Sequence, residues 1–141
     1  MVPMQIKIPT LTIERLTCVI ADAVALCPNI EAVGLVGSFA REEQTHCSDV
    51  DLLVKERNRG NFQEILESFG EYVRHILDYQ FNKRLEIVRY DLAADRANRD
   101  PLPNETWFHR EGFAQMLSEV KWLYEKRPNI DCENSRIHQA S

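Results

Sequence analysis

Residues 34–54 read GLVGSFAREEQTHCSDVDLLV, and the fold turns on how that stretch divides. An apolar run from Ala32 to Val36 leads in, and the small pair Gly37-Ser38 breaks it. Ten residues separate Ser38 from Asp49; Asp51 follows at i+2, and Leu52-Leu53-Val54 restore the apolar run. The pattern predicts strand, tight turn, short helix, loop and strand. Gly37 and Ser38 then sit where the chain leaves the first strand, and Asp49 and Asp51 where it enters the second.

That layout carries chemistry. Side chains at i and i+2 of a strand share a face, so Asp49 and Asp51 project together. Carboxylates so close repel unless a cation lies between them. Hard oxygen donors at an open site suit Mg²⁺, which keeps waters and phosphate oxygens as its remaining ligands. Gly37 lets the backbone approach a ligand. Ser38 opens a helix whose free N–H groups attract anions, and Arg41, at i+3, can face the same way. Phosphate on one side and metal on the other equips a site for phosphoryl or nucleotidyl transfer.

The whole chain sets bounds on that reading. Its 141 residues support one domain with a real core, and 44% hydrophobic with 28% charged residues is ordinary for a globular protein. A net charge of -5 argues against an extensive nucleic-acid surface. No apolar run approaches the ~20 residues that span a membrane. The opening MVPMQIKIPT lacks the basic start and apolar core of a signal peptide, so a cytoplasmic location is expected. Cys18, Cys27, Cys47 and Cys132 are scattered without a C-x-x-C pair and are read as free thiols. His46-Cys47 reads as polar loop rather than zinc site, because no second ligand pair has suitable spacing.

Along the chain, Met1 to Pro9 reads as an irregular lead-in. Thr10 or Thr12 can cap a helix to about Cys27, and Pro28-Asn29 ends it. Asn61 and Glu64 resemble a capping box for a helix bearing Phe62, Ile65, Leu66, Phe69, Val73, Ile76 and Leu77. Gly70 is a weak spot within it. A third strand, Arg84 to Tyr90, puts Leu85, Ile87 and Arg89 on one face and Glu86, Val88 and Tyr90 on the other. Asp91 to Asn104 reads as a polar connection, with any helix before Pro101 short. A last helix is expected to carry Phe113, Met116, Leu117, Val120, Leu123 and Tyr124 as one core-facing stripe. The domain is expected over residues 1–127, with a polar, flexible tail at 128–141.

Glu86 stands inside the apolar strand LEIV, where a buried unpaired carboxylate is costly. It either faces water on an edge strand or joins Asp49 and Asp51 as a third acid if the second and third strands are neighbours. His75 and His109 read as structural or surface residues. No Ser-His-Asp arrangement follows from spacing, and the Walker phosphate loop is absent.

At these residues the chain resembles the minimal nucleotidyltransferases of the DNA polymerase beta-like superfamily. GSFAREEQTHCSDVDLLV looks like their GS-x10-D-x-D signature, and Glu86 matches the third acid they carry in an apolar strand. The resemblance runs from about Thr10 to Lys126. It implies an α/β (α+β) fold, a small mixed sheet of at least three strands, ordered 1-2-3 and flanked by helices. It implies a Mg²⁺-dependent enzyme that moves a nucleoside monophosphate, most simply AMP from ATP or another NTP, onto a hydroxyl. Asp49, Asp51 and Glu86 would be catalytic and metal-binding, with two metals possible, and Gly37, Ser38 and Arg41 would bind the nucleotide. At this length the acceptor-recognition domain of larger relatives is not expected. The acceptor is therefore expected on a homo-oligomer or a partner chain, such as the HEPN-type toxin with which such proteins often pair. The usual pattern continues Ala-Arg-Gly, whereas here Ala40-Arg41 is followed by Glu42 and Glu43. Those acids leave a second reading open, a non-catalytic nucleotide-binding antitoxin or sensor of the same fold.

Overall fold

Strands whose middles are unbroken apolar runs must be covered on both faces there. In the computed structural model, which describes residues 8–45, 48–58, 60–100, 102–104 and 106–126, two such strands form the centre of the sheet. They are β1 (Ile30–Val36) and β2 (Val50–Glu56), paired antiparallel. β3 (Leu85–Arg89) lies parallel to β2, and β4 (Lys121–Glu125) lies antiparallel to β1, for a sheet order β3-β2-β1-β4. The expected 1-2-3 neighbours are present, and β4 extends the sheet at the far edge of β1.

Alternation then sorts the side chains. Val33 and Leu35 of β1, Val50, Leu52 and Val54 of β2, and Leu85 and Ile87 of β3 meet one helical layer. That layer is α1 (Ile13–Val24), α3 (Phe62–Ile65), a π turn (Leu66–Gly70) and α4 (Glu71–Phe81). α1 buries Leu16, Val19, Ile20 and Ala23, and Thr12 caps it by accepting from Arg15 N–H at 3.1 Å. α4 ends on Asn82, whose left-handed backbone (φ 51°) lets its N–H reach Asp78 O at 3.2 Å. Gly70 earns its place in the π turn: a Cβ there would stand 3.2 Å from Ile87 Cδ1, so its absence lets β3 pack close.

The other layer is α5 (Tyr90–Asn98) and α6 (Trp107–Glu119), and Ala93 of α5 packs with Val36, Leu53 and Val88 of the sheet. Asp51 and Glu86 share the parity of Leu53 and Val88, so they belong to this face. Among the described residues no helix is long and apolar enough to cross a membrane.

Two expectations are corrected here. Most of the stretch read as a polar connection with at most a short helix is α5, a nine-residue helix that starts at Tyr90. It buries only Ala93 and Ala97, which makes too thin a stripe to announce itself. The last helix stops at Glu119, and Val120, Leu123 and Tyr124 lie beyond it, the latter two in β4. β1 offers an open edge there, and Gly34 makes the fit: a Cβ would sit 2.3 Å from Val120 Cγ2 and 3.1 Å from the Trp122 ring. Pairing at that edge outweighs one more helical turn. The expected tail at 128–141 and His46-Cys47 fall outside the described residues.

Candidate active site

The site grows from the junction of β1, β2 and β3. β1 ends at Val36, paired with Asp51 across the ladder, and Asp51 pairs in turn with Glu86 on β3. One register therefore places the end of β1, Asp51 and Glu86 in a row. Asp49 stands two residues before Asp51, in the loop that enters β2. That loop is held by Ser48, whose Oγ accepts from Thr45 N–H at 2.8 Å, and by Lys83 Nζ, which donates to Thr45 O at 3.2 Å.

Gly37 turns the chain out of β1 with φ +76°, a conformation that favours glycine. A Cβ on it would lie 2.4 Å from Asp51 Oδ2, so the turn rests directly on the carboxylate. α2 (Gly37–Ala40) is a single turn and includes Ser38. So short a helix has little macrodipole, and any anion there would meet its free N–H groups instead. Glu42 follows in the left-handed region at φ 57°. The glycine usual at this place in the resembling family has a physical reason: the backbone there is one that glycine adopts without cost.

Asp51 is half-buried, and its carboxyl is pushed up from 3.8 to about 6. Burial contributes most, followed by the charge of Glu86, a side-chain hydrogen bond with Glu86 and the charge of Asp49; Arg41 opposes the shift. The strands thus bring Asp51 and Glu86 together, with Asp49 acting from further away. Among the described residues no three His, Cys, Asp or Glu side chains form a ready metal cage. Mg²⁺ rarely uses one, taking one or two carboxylates with waters and substrate phosphates. A half-buried carboxylate crowded by two others fits such an ion.

Arg41 does not stand free toward this row. Its Nε donates to Glu43 Oε2 at 3.0 Å and its Nη1 to Glu119 Oε2 at 3.1 Å. These bonds hold its guanidinium still more firmly protonated. Glu119, at the end of α6, also accepts from Gln115 Nε2 at 3.0 Å, and that bond with the one from Arg41 lowers its pKa. The cleft between the Gly37 turn and α6 has a volume of about 610 Å³ and is lined by Val36, Gly37, Arg41, Glu43, Asp51, Gly112, Gln115, Met116 and Glu119. A second cavity of about 380 Å³, between Leu11, Phe39, Phe81 and Lys83, has no carboxylate on its wall. Sequence reasoning missed Gln115 and Glu119. They belong to the face of α6 that only packing against the sheet brings to Arg41.

Of the two histidines read as structural or surface, His75 stacks on Tyr79 with ring centroids 5.8 Å apart. His109 closes a capping box with Thr106 at the start of α6.

The row of strand-borne acids beside a Gly-Ser turn defines a class. The sequence profile of the nucleotidyltransferase domain family matches residues 20–111, and the chain belongs to that family. A comparison with curated proteins finds no match. Two solved structures are remotely similar. One is a toxin–antitoxin complex with AMP-PNP, 13% identical, covering 92% of this chain and 89% of that one, with a TM-score of 0.49. The other is a mutant toxin–antitoxin MntA-HpeT complex, 11% identical, covering 92% and 88%, with a TM-score of 0.46.

Proposed function

We propose that this chain is a metal-dependent nucleotidyltransferase of the minimal kind, moving a nucleoside monophosphate, AMP from ATP, onto a hydroxyl acceptor. The observation that carries the reading is the register Val36–Asp51–Glu86, with Asp51 half-buried and its carboxyl pushed up to about 6 beside a positive-φ Gly37. Asp49, Asp51 and Glu86 would hold Mg²⁺, which would neutralise the phosphates and polarise the α-phosphoryl group. Gly37 and Ser38 would present backbone N–H groups to the β- and γ-phosphates, and Arg41 would assist once released from its acids. The acceptor oxygen would attack the α-phosphorus as the bond to the β-phosphate oxygen breaks and pyrophosphate leaves. Glu86, the most exposed of the three acids, would take the hydroxyl proton.

The acceptor is proposed to lie on a partner chain, a HEPN-type toxin as the family resemblance suggests, or on a second copy of this chain. The test is transfer of label from α-labelled ATP with Mg²⁺ to a candidate acceptor. Wild type should label it, and the double variant Asp49→Asn, Asp51→Asn should not; equal labelling by both would overturn the assignment.

Arg41's engagement by Glu43 and Glu119 favours a second reading, a nucleotide-binding antitoxin or sensor without turnover. Calorimetry with ATP, with and without Mg²⁺, separates the two. Binding with no transfer to any acceptor tried would favour the sensor.

A further inference from the structure

The cleft wall carries one cation, Arg41, against three acids, Glu43, Asp51 and Glu119. We propose that Glu119 is a positioning residue for nucleotide binding: it holds Arg41 across the cleft, and incoming phosphate oxygens must take the guanidinium from it. The inference rests on the nucleotide reading of the site and adds a gate to it.

A guanidinium presents its N–H donors as a planar fork that matches carboxylate and phosphate alike, so the two compete for it. Here that fork is taken twice. Glu43 engages Nε from the turn after α2, and Glu119 engages Nη1 from α6, 78 positions away in the chain. Glu119 is itself fixed, because Gln115 Nε2 donates to its other oxygen at 3.0 Å. The relay Gln115–Glu119–Arg41–Glu43 thus spans the cleft and ties its two walls. It leaves the wall with net negative charge, which repels a free triphosphate. The Arg41 and Glu119 side chains are 38% and 26% exposed, so water screens the pair. An ion pair of that exposure shifts an equilibrium by less than about fivefold, weak enough for a metal-bound triphosphate to break.

The test is the affinity for a non-hydrolysable ATP analogue with Mg²⁺, by calorimetry, on wild type, Glu119→Gln, Arg41→Gln and the double variant. Glu119→Gln should bind about two- to fivefold tighter than wild type. Arg41→Gln should bind more weakly, and adding Glu119→Gln to it should change nothing. An equal gain in both backgrounds would mean plain charge repulsion and overturn the gate, as would no gain in either. The Arg41 Nη1–H resonance, from the group that donates to Glu119, provides a readout that a merely structural role would not move. It should shift when the analogue binds wild type, and be displaced already in free Glu119→Gln; an unmoved signal in both also overturns the gate. If wild type binds no nucleotide at all, the transferase reading fails together with the gate. If it binds but ignores Glu119→Gln, only the gate fails.

Discussion

The β2–β3 pair carries an acid at each end of its ladder, and the two ends treat it differently. At the C-terminal end Glu56 is buried, its side chain 1% exposed, and Arg89 of β3 donates to it. The Arg89 guanidinium lies 5.3 Å over the Phe62 ring, which covers the pair. At the N-terminal end Asp51 meets Glu86, another acid, and its carboxyl rises to about 6. The same two strands thus neutralise one acid and leave the other crowded. An acid with its own arginine serves the fold. An acid facing further acids, on the wall of a cleft, is the kind of group that the proposed metal would neutralise.

The strongest way to break this comparison is to remove the arginine. Arg89→Met leaves Glu56 buried without its partner and is expected to cost about 3–5 kcal/mol in urea unfolding. Replacing both, Glu56→Leu with Arg89→Met, should restore most of that loss. A single-variant loss near zero would show that the pairing at this end does not serve the fold.

At the opposite end the sign reverses. An acid whose folded pKa exceeds its unfolded value gives its full stabilisation below the unfolded value and loses it as pH rises through the folded one. For Asp51 that window runs from 3.8 to about 6. Asp51→Asn should therefore stabilise the protein at pH 8, with the gain shrinking toward pH 4. The unscreened gain is about 3 kcal/mol; solvent at this half-exposed site reduces it to about 1–2 kcal/mol. A gain that grows on acidification would contradict the crowding.

Metal sharpens the same contrast. Mg²⁺ with ATP should raise the melting temperature of wild type; at ten times Kd the stabilisation is about 1.4 kcal/mol. Glu86→Gln should melt above wild type in metal-free buffer, because one of the repelling charges is gone. It should then gain less from Mg²⁺ and lose most transfer activity, because a ligand is gone. Arg89→Met, at the other end, should leave the Mg²⁺ increment intact in whatever fraction folds.

The smallest effect concerns Glu42, held at φ 57° beside the site. Glu42→Gly relieves about 1 kcal/mol of left-handed strain and gives back part of it through the entropy of glycine in the unfolded chain. The net gain in thermal unfolding should stay below about 1 kcal/mol. A loss would show that the Glu42 side chain contributes more than its backbone costs.

What the sequence determined by itself was local. The Gly37-Ser38 break, the spacing to Asp49 and Asp51, a threonine cap at Thr10 or Thr12 and the faces of β3 follow from neighbours a few residues apart, where period and turn chemistry act directly. Even the placement of Glu86 beside Asp51 needed only the further premise that β2 and β3 are adjacent and in register. Tertiary structure decided the rest because the competing forces lie far apart in the chain. Val120 to Tyr124 suit a helix by period, yet the edge of β1 and the gap at Gly34 draw them into extended backbone, with Leu123 and Tyr124 in β4. Tyr90–Asn98 becomes a helix on two buried alanines that no pattern flags. Arg41, read as a phosphate ligand, finds Glu119 only because α6 packs across the sheet beside it. A carboxylate's position along the chain sets its face on a strand; whether an arginine or another acid meets it there depends on which strand or helix lies alongside.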